Sequence, residues 1–451
     1  MATSTRGRVG GIEPLWHPAH RLRLFEPLRE RDFALLWAGS LVSLLGDGIF
    51  LVALPFAVLD LGGSAGDLAL FGVMWSIGIV GFLVLGGLAA DRYDKRRQLL
   101  ASEVVRLLAV GTMAGLSLGG VLEIWHLWAL AFVFGAGEGF AAPATGAIVP
   151  ELIAGEALVQ ANALQGSIRP IALRLAGPAL GGVIVGLIDT SGAFVVDAST
   201  FLVAIACLLA MRARVTVREG DHEPLRAQLR EAARFVRTQT WLWATLIGAI
   251  ISVLFFLGPT EVLVPIRIDD EIGGGAGDFG LVLAAGGAGG VLGTIAVGHF
   301  GMPRREITTL YWWWGLAGFA LCGYAFADAI WQLVLVSFAF GLGSGAGNVI
   351  WSTLMQVRVP ATLRGRVGSL DWLVSLGLTP VSFGLTGPLA ALFGPTAVLG
   401  VAGLVAGGAT IGLLYVVPGL RAEDGGIARA NAAAKPPQPP MSAPMSSANA
   451  G

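Results

Sequence analysis

Two carboxylates stand where a carboxylate is expensive. Asp47 and Glu138 each lie near the middle of an unbroken apolar run, Asp47 within 33–60 and Glu138 within 125–148. A charge at the bilayer centre costs about 2.5–3.5 kcal/mol on insertion scales, so its presence asks for a reason. Two chemistries fit. Such an acid can bind and release a proton, the elementary step of ion coupling, or it can be neutralised by an arginine and hold helices together. Arginines are at hand. Arg106 is three residues from Glu103, the spacing of a local pair, and Arg169 and Arg174 lie within the run 161–188, as partners for Glu138 or for an anionic substrate. On a helical period Ser43, Gly46, Asp47 and Phe50 share one face, a small and polar stripe fit to line a cavity. Asp197 and Glu261 fall nearer the outer ends of their runs, where solvent is expected to reach them. Asn348, Trp351 and Gln356 are either substrate contacts or packing residues. No other chemistry is on offer. The five histidines have no ligand spacing, and Cys207 and Cys322 sit singly in apolar runs, so no metal, disulfide or cofactor is expected.

The elements that must position these groups follow from composition. The chain has 451 residues, 55% hydrophobic and 13% charged, against about 25% charged in a soluble domain. Its mean hydropathy is +0.74. A soluble enzyme and a disordered chain are excluded, and a net charge of −1 leaves no field to draw nucleic acid. Backbone groups in hydrocarbon must be satisfied internally, by helices or a closed barrel. Barrel strands alternate apolar and polar residues; here the apolar runs are continuous and of helix length. Twelve are expected, at 33–60, 68–90, 98–120, 125–148, 161–188, 192–212, 241–268, 278–300, 306–327, 331–356, 370–393 and 396–418.

Basic residues set the orientation. The arm 1–32 carries six arginines and no apolar core, so no cleaved signal peptide is read there. The connections after spans 2, 6, 8 and 10 are also basic, while the odd-numbered ones carry almost nothing; Arg267, at the outer end of span 7, is the exception. Both termini are therefore expected in the cytoplasm. The connection after span 4 has Glu151 and Glu156 but no Lys or Arg. Tryptophans at span starts, among them Trp125, Trp241, Trp312 and Trp331, suit the headgroup layer.

The expected units are an arm 1–32, a six-helix bundle 33–212, a linker 213–240, a second bundle 241–418 and a disordered tail 419–451. In the linker, Leu225, Leu229, Ala232 and Val236 recur at helical spacing, with arginines on other faces. That predicts a basic amphipathic helix, either on the inner membrane surface or as a solvated linker. The halves repeat: Gly177-Pro178 matches Gly387-Pro388 and Val149-Pro150 matches Val359-Pro360, both 210 residues apart, and Gly87 matches Gly298 at 211. A parallel repeat around a central cavity is transporter architecture.

The segment Gly87-Leu-Ala-Ala-Asp91-Arg92-Tyr93-Asp94-Lys95-Arg96-Arg97 follows span 2. Gly87 would allow close helix approach, and Asp91 is placed to cap or face a helix N-terminus. This segment resembles the signature loop of the major facilitator superfamily, with Asp94 where the general pattern has glycine. The resemblance implies a latch between the halves, with Asp91 facing the start of span 11, where Asp371 lies. Gly177-Pro178-Ala-Leu-Gly181-Gly182 in span 5 is similar to the core of that superfamily's antiporter motif. With Leu44-Leu45-Gly46-Asp47-Gly48, Ala161-Asn162-Ala163-Leu164 and Arg364-Gly365-Arg366-Val367, residues 30–418 look like the branch of macrolide-efflux and enterobactin-exporter proteins.

The fold expected is thus all-α and polytopic, twelve transmembrane helices as two six-helix pseudo-repeats. The resemblance implies a secondary transporter in a bacterial cytoplasmic membrane, exporting a small amphipathic molecule in exchange for protons, and a monomer is expected. Uptake or facilitated transport by the same fold is the alternative, and an intramembrane lipid-modifying enzyme the alternative of another class. The enzyme would need converging nucleophile, base or metal ligands, and only Asp47 and Glu138 are deep enough. An ATP motor is disfavoured, since GxxxxGK[ST] is absent and the chain has only Lys95 and Lys435.

Overall fold

The computed structural model describes residues 25–153, 157–212 and 225–426. The described residues are helical nearly throughout. The first six spans are α1 (Arg31–Asp60), α2 (Ala65–Arg92), α3 (Lys95–Leu118), α4 (Ile124–Leu152), a composite fifth span and α7 (Thr190–Ala210). The fifth consists of α5 (Ala157–Ile168), a π-helical stretch Arg169–Ala176 and α6 (Gly177–Leu187). After the linker helix α8 (Leu225–Thr238) come α9 (Thr240–Ile266), α10 (Ala276–Phe300), α11 (Glu306–Phe326), α12 (Ile330–Arg358), α13 (Ala361–Gly377) with α14 (Thr379–Phe393), and α15 (Pro395–Val416). Among the described residues, eleven spans are long and apolar enough to cross a membrane. The twelfth, α11, is not among them. It carries Tyr311 and Trp312 to Trp314, rings with an interfacial rather than hydrocarbon preference, yet it packs like the rest, between α12 and α15.

The pairings repeat between halves. α2 packs on α4 as α10 packs on α12, and α3 on α7 as α11 on α15. Across the halves, α6 meets α10 and α14 meets α2, the same pair of spans in each repeat. These crossings are made on glycine. A Cβ on Gly182 would lie 3.1 Å from the Gly277 Cα, and one on Gly387 would lie 2.9 Å from the Gly66 Cα. Backbones therefore touch in the segments that carry Gly177-Pro178, at the start of α6, and Gly387-Pro388, within α14, as small-residue contacts allow in a bilayer.

All of these crossings are at the end of the bundle opposite the arginine-rich connections. There one hydrophobic core joins both halves, with Phe56 of α1 6.2 Å from Phe279 of α10. At the arginine-rich end there are two cores instead. One is built around Phe33, Leu99 and Ile148 of the first half, the other around Trp241, Tyr311 and Leu354 of the second. The glycines at the inner ends of the crossing helices, Gly87, Gly298, Gly365 and Gly368, face open space. The halves are sealed at one end and parted at the other.

Several local expectations change. Gly87 makes no close approach; its neighbour Gly86 does, its Cβ position 2.6 Å from the Phe140 carbonyl. Asp94, where the general pattern has glycine, is the residue that caps α3, accepting from Arg96 N at 2.8 Å. The side chain of Asp91 lies outside the described residues. Arg267 is buried and donates to the carbonyls of Tyr324 and Ala327, so it caps the C-terminal end of α11; that accounts for a basic residue on the wrong side. Trp125, Trp312 and Trp331 are exposed at span starts, but Trp241 is buried, with the Arg358 guanidinium 5.5 Å from its ring. The acidic connection after span 4 has a partner, since Lys95 pairs with Glu151 at 2.7 Å; Glu156 lies outside the described residues.

The linker helix is neither free in solvent nor held by lipid alone. Ala232 and Val236 are buried in the core of the second half, and Glu231 pairs with Arg366 on α13. The side chains of Leu225 and Leu229 lie outside the described residues. The ordered chain also runs past the expected tail boundary at 418. Leu420–Glu423 forms a 3₁₀ turn with Leu420 buried. Asp424 then accepts from Ile307 N at 2.8 Å and Thr308 N at 3.0 Å. It caps α11 in place of Arg305, the residue at that cap, whose side chain makes no such bond. Removing a side-chain cap costs about 1 kcal/mol. Asp424→Ala should lower the thermal midpoint of the purified protein, and Asp424→Asn should recover most of the loss.

Candidate functional site

The acids expected at mid-membrane are both ion-paired. Asp47 on α1 is held by Arg106 on α3, whose Nη2 reaches both carboxylate oxygens. Arg106 Nη1 also lies 3.7 Å from Glu103 Oε1, and Ser43 Oγ donates to Glu103 at 3.2 Å. The local pair expected for Arg106 is thus its weaker contact. The guanidinium lies against two rings that touch edge to face, 4.9 Å from the centroid of Phe134 and 4.7 Å from that of Phe201. Stacking suits the weakly hydrated guanidinium where a lysine would be poorly placed. Glu138 on α4 accepts from Arg169 at 2.9 Å and from Trp75 Nε1 at 3.2 Å.

The face of α1 expected to line a cavity is instead packed against neighbouring helices, Gly46 against α7 and Asp47 against α3. Gly46 packs directly against the side chains of Asp197 and Thr200. Asp197, expected to be solvated, is completely buried. Glu261, expected likewise, pairs with Arg174 at 3.2 Å, a bridge from the fifth span to α9 and so from one half to the other. Depth along a run does not measure burial; the neighbouring helix does.

The fifth span places its two arginines by loosening its own helix. Gly177 N donates to Ala172 O, five residues back. Pro178 has no N–H to give the carbonyl of Arg174, and Gly287 of α10 packs its backbone against that carbonyl. A π segment inside a longer helix is a frequent mark of functional sites. Here it carries Arg169 and Arg174, both half-exposed, to acids on two different helices. Proline at 170 and 178 was the available sequence signal. Gly181 and Gly182 continue the segment as buried packing positions against α1 and α10.

The described contacts of the signature loop stay within the first half. Arg96 donates to the carbonyls of Leu208 at 2.6 Å and Leu209 at 2.8 Å, closing the C-terminal end of α7, and Lys95 holds Glu151. Asp371 on α13 accepts from Trp351 at 3.3 Å. Arg92 is exposed. Among the described residues, no hydrogen bond or ion pair joins this loop to Asp371. No group of histidine, cysteine or acidic residues among the described residues could hold a metal ion.

Two six-helix halves, sealed at one end, parted at the other, with an acid–arginine cluster buried in the first half and an Arg174–Glu261 bridge between them, define a membrane transporter rather than an enzyme. Residues 23–445 match the transmembrane secretion effector family, and the chain belongs to that branch of the major facilitator superfamily. It is 27% identical to the multidrug efflux pump Tap of Mycolicibacterium fortuitum, over 79% of this chain and 88% of that one. It is 22% identical to macrolide efflux protein A of Streptococcus pyogenes, over 75% and 84%. Among solved structures, a bacterial homologue of the iron transporter ferroportin in an inward-facing state shares the fold, with a TM-score of 0.62 at 19% identity, over 85% of this chain and 98% of that one.

Proposed function

We propose that the chain is a proton-coupled antiporter that exports small amphipathic molecules by alternating access, working as a monomer in a bacterial cytoplasmic membrane with both termini inside. The observation that carries this reading is the one-sided closure of the two halves, with the parted end bearing the arginine-rich connections. By the charge rule that end faces the cytoplasm, so the crevice opens to the compartment from which an exporter loads. The efflux pumps named above support the direction and the substrate class. Two-state gating needs a group whose charge differs between states, and Asp47 and Glu138, each tied to one arginine, are the candidates. In this reading Arg106 and Arg169 release or retake their acids as protons come and go. The loop Gly87, Asp91, Arg92, Lys95 and Arg96 meets Asp371 only when the cytoplasmic ends close, which fits its separation from Asp371 here.

The test is transport by purified protein in proteoliposomes, with an imposed pH gradient and ethidium, erythromycin and a catecholate siderophore as probes. Gradient-dependent accumulation of any one, collapsed by a protonophore, is the expected result. Movement that ignores the gradient for every probe moved would favour facilitated transport by the same fold.

A further inference from the structure

The cluster around Arg106 does not balance. Asp47, Glu103, Asp197 and Glu138 all lie within electrostatic reach of this one guanidinium, and Glu138 has Arg169 as a partner of its own. Asp47 and Glu103 are the two that Arg106 engages. Asp197 has no arginine. Its Oδ1 receives only a long bond from Thr200 Oγ1, at 3.4 Å, and that hydroxyl gives its shorter bond, 2.7 Å, to the Asp197 carbonyl. Its Oδ2 is buried with no partner at all. The side chain is fully enclosed, against the Gly46 backbone of α1 and one turn along α7 from Phe201, over whose ring Arg106 lies. The helices packed on α7 are α1, α3 and α6. They present Asp47 from α1 and Glu103 and Arg106 from α3, while α6 carries no charged residue.

A buried, unpaired carboxylate beside two others is costly, and removing its charge is the simplest relief. We infer that Asp197 is the acid that stores the transported proton in the cytoplasm-open state, and that Asp47, paired with Arg106, is the gate through which the proton enters and leaves it. In that state the proton sits on Asp197 Oδ2, and Arg106 is shared by Asp47 and Glu103. When Arg106 swings away from Asp47, the proton passes to the Asp47 carboxylate and from there to the crevice, leaving Asp197 ionised and Arg106 free to face it. No atom is gained or lost other than the proton. The inference rests on the proton-coupled reading, but it makes a claim about a resting protonation state that can be read without transport.

The experiment is pH-difference infrared spectroscopy of the purified full-length protein in a detergent free of ester groups. A protonated buried carboxyl gives a carbonyl band that shifts in D2O. The band is expected in the wild type at neutral pH, to persist in Glu103→Gln, Glu138→Gln and Asp47→Asn, and to vanish in Asp197→Asn. Should Asp197→Asn fail to fold, labelling with carboxyl-13C aspartate provides the second measurement. A band that shifts with the label and survives Asp47→Asn, Asp60→Asn and Asp371→Asn belongs to Asp197. A wild type without the band, a band lost in Asp47→Asn, or a band unmoved by labelled aspartate each overturns the inference. A normal band in a protein whose efflux ignores the pH gradient would instead overturn the coupled reading and leave the stored proton in place.

Discussion

Asp47→Asn should abolish efflux driven by a pH gradient while leaving much of the downhill exchange of substrate without one. The side chain keeps its size and can still accept from Arg106, so the helices stay in register; what is lost is the charge that distinguishes one facing state from the other. Removing one member of a buried ion pair typically costs about 3–5 kcal/mol, and the isosteric amide should moderate that by retaining hydrogen bonds. A residue that couples transport to protons should therefore separate the two assays. Glu138→Gln is the internal comparison. Glu138 also pairs with one arginine, but Arg169 is half-exposed and Trp75 Nε1 remains as a donor to the carbonyl oxygen of the amide. Its loss should be milder in both assays. Arg106→Ala is the opposite extreme. It strands Asp47 and Glu103 without their shared cation in a buried site, so protein level and transport should fall together. Equal loss of efflux and exchange in Asp47→Asn, at falling abundance, would assign Asp47 to holding helices and nothing more.

The fold was legible because a bilayer demands it. Continuous apolar runs of spanning length leave helices as the only solution, and repeated Gly-Pro steps marked the same span in each half. The site was half legible. Asp47 and Glu138 stood out by insertion cost alone, whereas the Ser43, Gly46 and Asp47 face reads as a cavity lining and is in fact covered by α7. The rest depended on contacts that sequence distance conceals. Arg106 reads as a local pair with Glu103, three residues away, yet its principal partner is 59 residues distant. Asp197 lies seven residues from the start of α7, where an outer, wet position is a fair inference; α1 covers it because Gly46 has no side chain to keep the helices apart. The signal was there in Asp197 and Thr200, two polar residues three apart in an apolar run, facing a helix with its own small polar stripe. Gly86 and Gly87 are indistinguishable in sequence, and only the direction of α4 decides which is crowded.

The seal itself offers the last large effect. Gly280 on α10 faces the fifth span across the boundary between halves. A Cβ there would lie 2.5 Å from the Pro178 carbonyl oxygen, 2.9 Å from the Gly182 Cα and 3.1 Å from the Gly182 N. All three are backbone atoms of a packed helix and cannot rotate away as a side chain would. Gly280→Val should therefore prevent the sealed end from closing, while costing little in a state where α6 and α10 have parted there. Overpacking of this kind costs about 1–3 kcal/mol, and each 1.4 kcal/mol shifts a two-state equilibrium about tenfold. If the two facing states lie within about 2 kcal/mol of each other, the substitution inverts their populations. Spin labels at Gly87→Cys and Gly298→Cys, with Cys207 and Cys322 replaced by serine, report the change at the opposite end. Neither labelled position has a neighbour within 4 Å to disturb. The distance between labels should shorten in Gly280→Val, as the arginine-rich ends come together, and transport should drop because the cycle needs both states. Gly290→Ala, on the same helix, is the control: its nearest new contact is the Gly341 carbonyl of the same half, at an ordinary 3.7 Å. An unchanged label distance in Gly280→Val with transport intact would mean that the glycine crossing does not close the transporter. The alternating motion would then turn on some other contact, with the Arg174–Glu261 bridge between the halves next in line.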